Sequence, residues 1–255
     1  VIPAGSALAE SVSPVGPERS RGVDVGVEQA FWNGRSRVRV SYFHNNFSDL
    51  IQFVDKVVLP QLGVPSDVAN ATAFGAYVNS SSYRARGIET SAEAAIGAVK
   101  AVGSYTFLDA TVTKSFSGGT LDPAFNPAFP DIPIGAFEPL VGARPFRRPT
   151  HSGSLVVSYG RGAALVALAA SFVGKRDDST FLSDEFFGST MLLPNRNMDD
   201  SYQKLDLSGS YLVHRNLRWY LTLENLLNQT YESGSGFPAL PATVRTGVTV
   251  GLGQP

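Results

Sequence analysis

The chain has 255 residues, 25 glycines, 16 prolines, no cysteine, 17% charged residues and a formal net charge of −1. The absence of cysteine excludes a disulfide framework and a thiolate metal site, and the near-neutral balance removes the basic face that a nucleic-acid binder shows. The longest nearly apolar run, Ala163 to Val173, is far shorter than the roughly 18 residues that a membrane-spanning helix needs, so any bilayer crossing has to be made by strands.

The opening residues VIPAGSALAES contain Ala7-Leu8-Ala9, which has the form of a signal-peptidase site. They lack an initiating Met and a basic leader, and Pro3 and Gly5 interrupt the apolar stretch. A mature protein or an excerpt of a longer one is the expectation, with residues 1–19 as a lead-in. From Ser20 to Phe31 the sequence alternates, with Val23, Val25, Val27 and Phe31 on one face and Asp24, Gly26 and Glu28 on the other. Asn33-Gly34 predicts a tight type I′ hairpin, after which Val38, Val40 and Tyr42 continue the apolar face toward Leu50 and Phe53. Residues 55–82 lose the period and read as a loop, and a strand resumes at Tyr83.

Ile88, Thr90, Ala92, Ala94 and Ile96 then oppose Glu89, Ser91 and Glu93, before Gly97-Ala98 reverses the chain. In the next strand, VKAVGSYTFLDATV, both parities carry apolar residues, so its facing is ambiguous. Residues 115–148 are long, irregular and proline-rich. Strands follow at His151 to Tyr159 and Ala164 to Phe172, joined through Gly160-Arg161-Gly162. After a loop over 177–201 come a hairpin that turns at 214–216, a loop over 229–242 and a closing strand from Thr243 to Gly253.

This makes about nine strands, each of about 10 to 13 residues, near the roughly 9 to 11 needed for a tilted crossing. Their connections alternate strictly: short at 33–35, 97–98, 160–162 and 214–216, long at 55–82, 115–148, 177–201 and 229–242. Outer-membrane barrels show this asymmetry because periplasmic turns only reverse the chain while external loops bind. Phe31, Tyr159, Tyr211 and Trp219 lie beside short turns, and Phe172, Tyr202 and Tyr231 lie near the opposite strand ends, as two interfacial girdles require. The fold class is therefore all-β, an antiparallel transmembrane β-barrel. An odd strand count would leave bare edges in lipid, so residues 20–253 read as part of a larger barrel.

Several segments carry a family resemblance: PERSRGVDVGVE (Pro17 to Glu28), SYFHNNFSDLIQF (Ser41 to Phe53), NSSSYRARGIETSAE (Asn79 to Glu93), FRRPTHSGSLVVSY (Phe146 to Tyr159), FVGKRDD (Phe172 to Asp178), LDLSGSY (Leu205 to Tyr211) and ENLLNQTYE (Glu224 to Glu232). In this order and spacing they resemble the TonB-dependent outer-membrane receptors, specifically the C-terminal half of a barrel of roughly 22 strands. The resemblance implies a receptor in the outer membrane of a Gram-negative bacterium that takes up a scarce ligand such as a ferric siderophore or cobalamin. It also implies a lipid surround and a TonB-type energy-transducing complex acting through a plug domain, which this sequence does not show. FRRPTH and VGKRDD lean toward the cobalamin-receptor and related siderophore branch. Members normally end in an aromatic residue, whereas this chain ends Gly253-Gln254-Pro255.

Asp24, Glu28, Glu89 and Glu93 follow two repeats of the order Arg-Gly-apolar-acid and are expected to face the lumen. They either pair with basic plug residues or stand as solvated charges. Arg144, Arg147 and Arg148 end the longest loop, where they would capture an anionic ligand or lipopolysaccharide phosphate, or anchor the following strand. Phe181, Phe186 and Phe187 would stack on a ligand ring or form a minicore within their loop.

His44, His151 and His214 are scattered singly, so no metal or other cofactor is expected. No Gly-x-Ser-x-Gly elbow or paired catalytic carboxylate emerges, and no enzymatic activity is expected. The rival readings are a smaller outer-membrane barrel protease or phospholipase, and a soluble β-sandwich binding module.

Overall fold

The computed structural model describes residues 15–56, 59–115, 124–126, 129–134, 139–178, 197–234 and 236–251. The strands are β1 (Arg19–Phe31), β2 (Ser36–Asp55), β3 (Gly75–Ile96), β4 (Val99–Lys114), β5 (Ala124–Asn126), β6 (Phe129–Ile134), β7 (His151–Arg161), β8 (Ala164–Val173), β9 (Tyr202–His214), β10 (Leu217–Glu224) and β11 (Thr243–Val250). Nine of them form one antiparallel meander in the order β1-β2-β3-β4-β7-β8-β9-β10-β11, and β5-β6 is a separate small hairpin in the longest connection.

Turn chemistry places all the short reversals at one end of this sheet. At the first, Asn33 and Gly34 have φ of 56° and 82°, and the Arg35 N–H donates to the Trp32 carbonyl at 3.2 Å, as a type I′ turn demands. Gly97 and Gly162 adopt φ of 60°, which lets two-residue turns close Ile96 against Val99 and Arg161 against Ala164. The third reversal is thus Gly162-Ala163, not Gly160-Arg161-Gly162, because β7 stays paired through Arg161.

The long-loop end departs further from expectation. β2 and β3 have 20 and 22 residues, and β3 begins at Gly75 rather than Tyr83. Of the loop expected over 55–82, residues 75–82 are strand and only 56–74 connect; a bulge further back in β2 shifts the register on both sides of Leu50, where Asp49 has φ 58°. Beyond it the hairpin continues to a cap made of a 3-10 turn (Leu59–Leu62) and the one-turn helix α1 (Ser66–Ala71). Val54, Leu59, Ala69 and Ala76, flanked by Val64 and Val78, form the principal apolar core among the described residues.

The sheet itself has no such core. Register carries one apolar parity across every strand: Val25, Tyr42, Ile88, Phe107 and His151 form one row, and Ala164, Tyr211, Trp219 and Val248 form another. The facing of β4, ambiguous in sequence, is settled by its partners, with Val99, Ala101, Gly103, Tyr105 and Phe107 on the apolar side. That side is bare: Val23, Val25 and Val244 are 70%, 69% and 67% exposed. A contiguous apolar face of this extent is incompatible with water and matches the hydrocarbon of a bilayer.

Candidate ligand-binding rim and lumen

The opposite, polar face gathers the expected carboxylates. Asp24 and Glu28 on β1 and Glu89 and Glu93 on β3 share it, with Arg37 and Arg39 of β2 between them. Arg39 donates a charge-assisted hydrogen bond to Glu28, and Arg37 lies 3.3 Å from Glu28 and 3.6 Å from Glu93. Glu28 and Glu93 are therefore paired within the sheet. Asp24 and Glu89 have no basic partner among the described residues. On β4, β7 and β8 the same face carries a row of small hydroxyls: Ser104, Ser154 and Ser171 stand in register, the Ser104 and Ser154 hydroxyls are 2.8 Å apart, and the row ends at Lys204 of β9.

At the long-loop end the expected arginine cluster is an ion-pair clamp. Arg144 donates through Nη2 to Asp177 Oδ1 at 2.6 Å and to Asn197 Oδ1 at 2.7 Å, and Arg147 Nε reaches both oxygens of Asp178 at 2.9 and 3.1 Å. Asp177 and Asp178 are 5% and 0% exposed, so these guanidiniums neutralise charges withdrawn from water. Arg144 and Arg147 are thus held by ion pairs, and Arg147 and Arg148 are both exposed to solvent. Phe181, Phe186 and Phe187 lie outside the described residues.

The centre of the clamp is Arg176, which the sequence analysis passed over within VGKRDD. It is buried, exchanges backbone hydrogen bonds with Asp199, and donates through Nη2 and Nη1 to the carbonyls of Glu232 at 2.8 Å and Ser233 at 3.3 Å. Its guanidinium lies 5.4 Å from the ring centroid of Tyr202, which stacks on Tyr231 at 4.0 Å. One arginine so ties the β8–β9 connection to the β10–β11 connection. Burial first, then the neighbouring Asp178 charge, push the Asp199 carboxyl up to about 6, against the opposing pull of Arg176.

This geometry also corrects the proposed girdles. Phe31, Tyr159, Tyr211 and Trp219 stand on the apolar face near the short turns, and Phe172 stands on it at the other end. Tyr202 pairs with Val173 on the polar-face parity, and Tyr231 is its stacking partner in the loop, so both belong to the clamp. The apolar face at the long-loop end instead carries Tyr105, Phe107 and His151, with the Tyr105 hydroxyl 2.8 Å from His151 Nδ1. Tyr105 and Phe107 could not be placed from sequence because β4 has no legible parity there.

The family described as TonB dependent receptor-like, beta-barrel matches residues 4–226. The chain belongs to the TonB-dependent receptors. Solved structures agree on the fold: the ferric-catecholate import receptor Fiu of E. coli K12 (18% identity, TM-score 0.61, 96% of this chain and 30% of that one) and the FrpB iron transporter of Neisseria meningitidis (16%, 0.60, 94% and 32%). The pyoverdine receptor FpvA of Pseudomonas aeruginosa PAO1 is similar too (14%, TM-score 0.62, 93% and 30%). No curated protein matches the sequence.

The chain thus spans about a third of the length of these receptors. As a TonB-dependent receptor it is an outer-membrane protein of a Gram-negative bacterium and not an enzyme. Outer-membrane barrels in general turn their apolar face to lipid, their short turns to the periplasm and their longer connections to the exterior.

Proposed function

We propose that the intact receptor takes up a ferric chelate of the siderophore class, with energy delivered by a TonB-type complex through a plug domain. The membership in the receptor family carries this reading, and the ligand class is supported by the names of the solved relatives, which concern ferric-catecholate, iron and pyoverdine. None of these three relatives is named for cobalamin, so the cobalamin lean gives way to iron.

The residues of this chain have two tasks in that reading. Asp24 and Glu89, left without partners by the β2 arginines, meet basic groups of the plug, and the small serine row leaves room for it beside β4, β7 and β8. Arg148 and the external connections contact the ligand, with the Arg176 clamp holding two of those connections in a fixed relation. Growth of a strain whose only uptake route is the full-length receptor tests this. Rescue by a ferric siderophore that vanishes when the energy-transducing complex is inactivated is expected, and rescue by cobalamin but by no ferric siderophore would overturn the ligand class.

A further inference from the structure

The lipid-facing side of β1 to β4 changes character at one height. Along β1 the exposed Val27, Val25 and Val23 are followed by Arg21 and Arg19, and along β3 Ile88 is followed by Arg86 and Arg84. Register sets Arg21, Asn46, Arg84 and Thr111 in one row, directly beyond the row of Val23, His44, Arg86 and Asp109. The row below holds Tyr42, Phe107 and His151. Rings followed outward by guanidiniums is the order of groups met when leaving hydrocarbon for headgroups.

The height agrees. About ten residues separate Phe31 from Arg21 and Ile96 from Arg86, roughly 34 Å of strand, or about 26 Å of vertical rise at a tilt near 40°, close to the ~25 Å apolar band of such barrels. The arginines therefore stand at the external interface.

Their charges are only partly answered. Arg86 Nε donates to Asp109 at 2.8 Å, and Arg19 lies 3.8 Å from Asp49. Arg21 has no acidic partner among the described residues. Arg84 reaches only the Thr111 hydroxyl, at 3.5 Å, and its Nε is buried without an acceptor. A net positive, fork-shaped donor set facing a membrane surface calls for a phosphate, which guanidinium matches in charge and planar geometry. At the external end of the barrel the membrane offers that group on the sugar headgroup of lipopolysaccharide.

We propose that the outward face of β1 to β3 at the external end is a lipopolysaccharide site, in which Arg21 and Arg84 bind a lipid A phosphate with Arg19 and Arg86 beside it. The site is separate from ligand uptake and rests on the placement of the long connections outside the cell.

The test uses the intact receptor extracted from outer membranes, with bound lipid A measured by mass spectrometry. The double variant Arg21→Gln, Arg84→Gln should retain at least about fivefold less lipid A than wild type, as loss of two charge-assisted contacts implies. Arg218→Gln, which removes a charge from the lumen face, should retain the wild-type amount. After delipidation, bisphosphorylated lipid A should raise the melting temperature of the wild type, and phosphate-free lipid A should not. Equal retention by the double variant, an equal loss in Arg218→Gln, or equal stabilisation by phosphate-free lipid A or by phosphatidylglycerol would each overturn the assignment. If the double variant does not fold, the wild-type rebinding comparison decides.

Discussion

Gly22 and Gly87 follow arginines in the same local order, yet their neighbours give them different tolerances. A Cβ at Gly22 would meet chiefly the Asn45 side chain, which can swing away. At Gly87 it would collide with the Phe107 carbonyl and approach the Phe43 ring to 2.9 Å, so β3 and β4 would have to part. Gly87→Ala should destabilise the barrel by roughly 1–3 kcal/mol or more, and Gly22→Ala by well under about 1 kcal/mol, in unfolding of the intact receptor.

The Asp199 carboxyl belongs to the same scale. Its folded pKa of about 6 lies above the ordinary 3.8, so the folded loop holds a proton that the unfolded loop releases. The stabilisation is complete below pH 3.8 and is lost as pH rises through about 6. Proteolysis of the 174–201 and 225–242 connections should accordingly be slower at pH 5 than at pH 7.5, and Asp199→Asn should flatten that difference. An unchanged pH dependence in the variant would show that another group controls it. Arg176→Ala should loosen both connections, because it removes the donor to the Glu232 and Ser233 carbonyls at every pH and, above about pH 6, also strands the buried Asp199 carboxylate at a cost of about 3–5 kcal/mol. Lysine should not restore them, since it lacks the planar fork that spans two carbonyls and a ring.

Among the elements, the β2–β3 hairpin stands apart, because it outruns any membrane crossing and ends in its own core. Leu59 is fully buried there against Ala69 of the cap and against Val54 and Ala76 at the ends of β2 and β3. Leu59→Ala should cost about 2–4 kcal/mol of local stability. Hydrogen exchange should then rise across 56–74 while the membrane-spanning part of β2 and β3 stays protected. Exchange rising along the whole of β3 would mean that the cap and wall unfold together. The sequence hid the start of this element because a polar run through Asn79-Ser80-Ser81-Ser82 breaks the two-residue period without ending the strand.

For the molecule as a whole, β1 and β11 are the two ends of an open sheet among the described residues. Unpaired backbone amides cannot face hydrocarbon, so both edges require strands that complete the cylinder. Residues 15–251 expressed alone should not give the heat-modifiable migration of a closed barrel, and the intact receptor should. A heat-modifiable band from the isolated segment would show that these nine strands can close on themselves.

The alternation in β1, β3, β8 and β11, the strict exchange of short turns and long connections, and the order of the family's segments were all readable without coordinates. Each is local or statistical, and lipid on one face imposes it along every strand. The partners of individual side chains were not readable. Arg144 and Asp177 meet across 33 positions, and Tyr202 joins a clamp instead of a girdle because pairing with Val173 sets its face. β4 could be oriented only by its neighbours. Alternation determined that a membrane-spanning sheet would form; register between distant strands decided which charges share the polar face, which lock the loops and which share the apolar face.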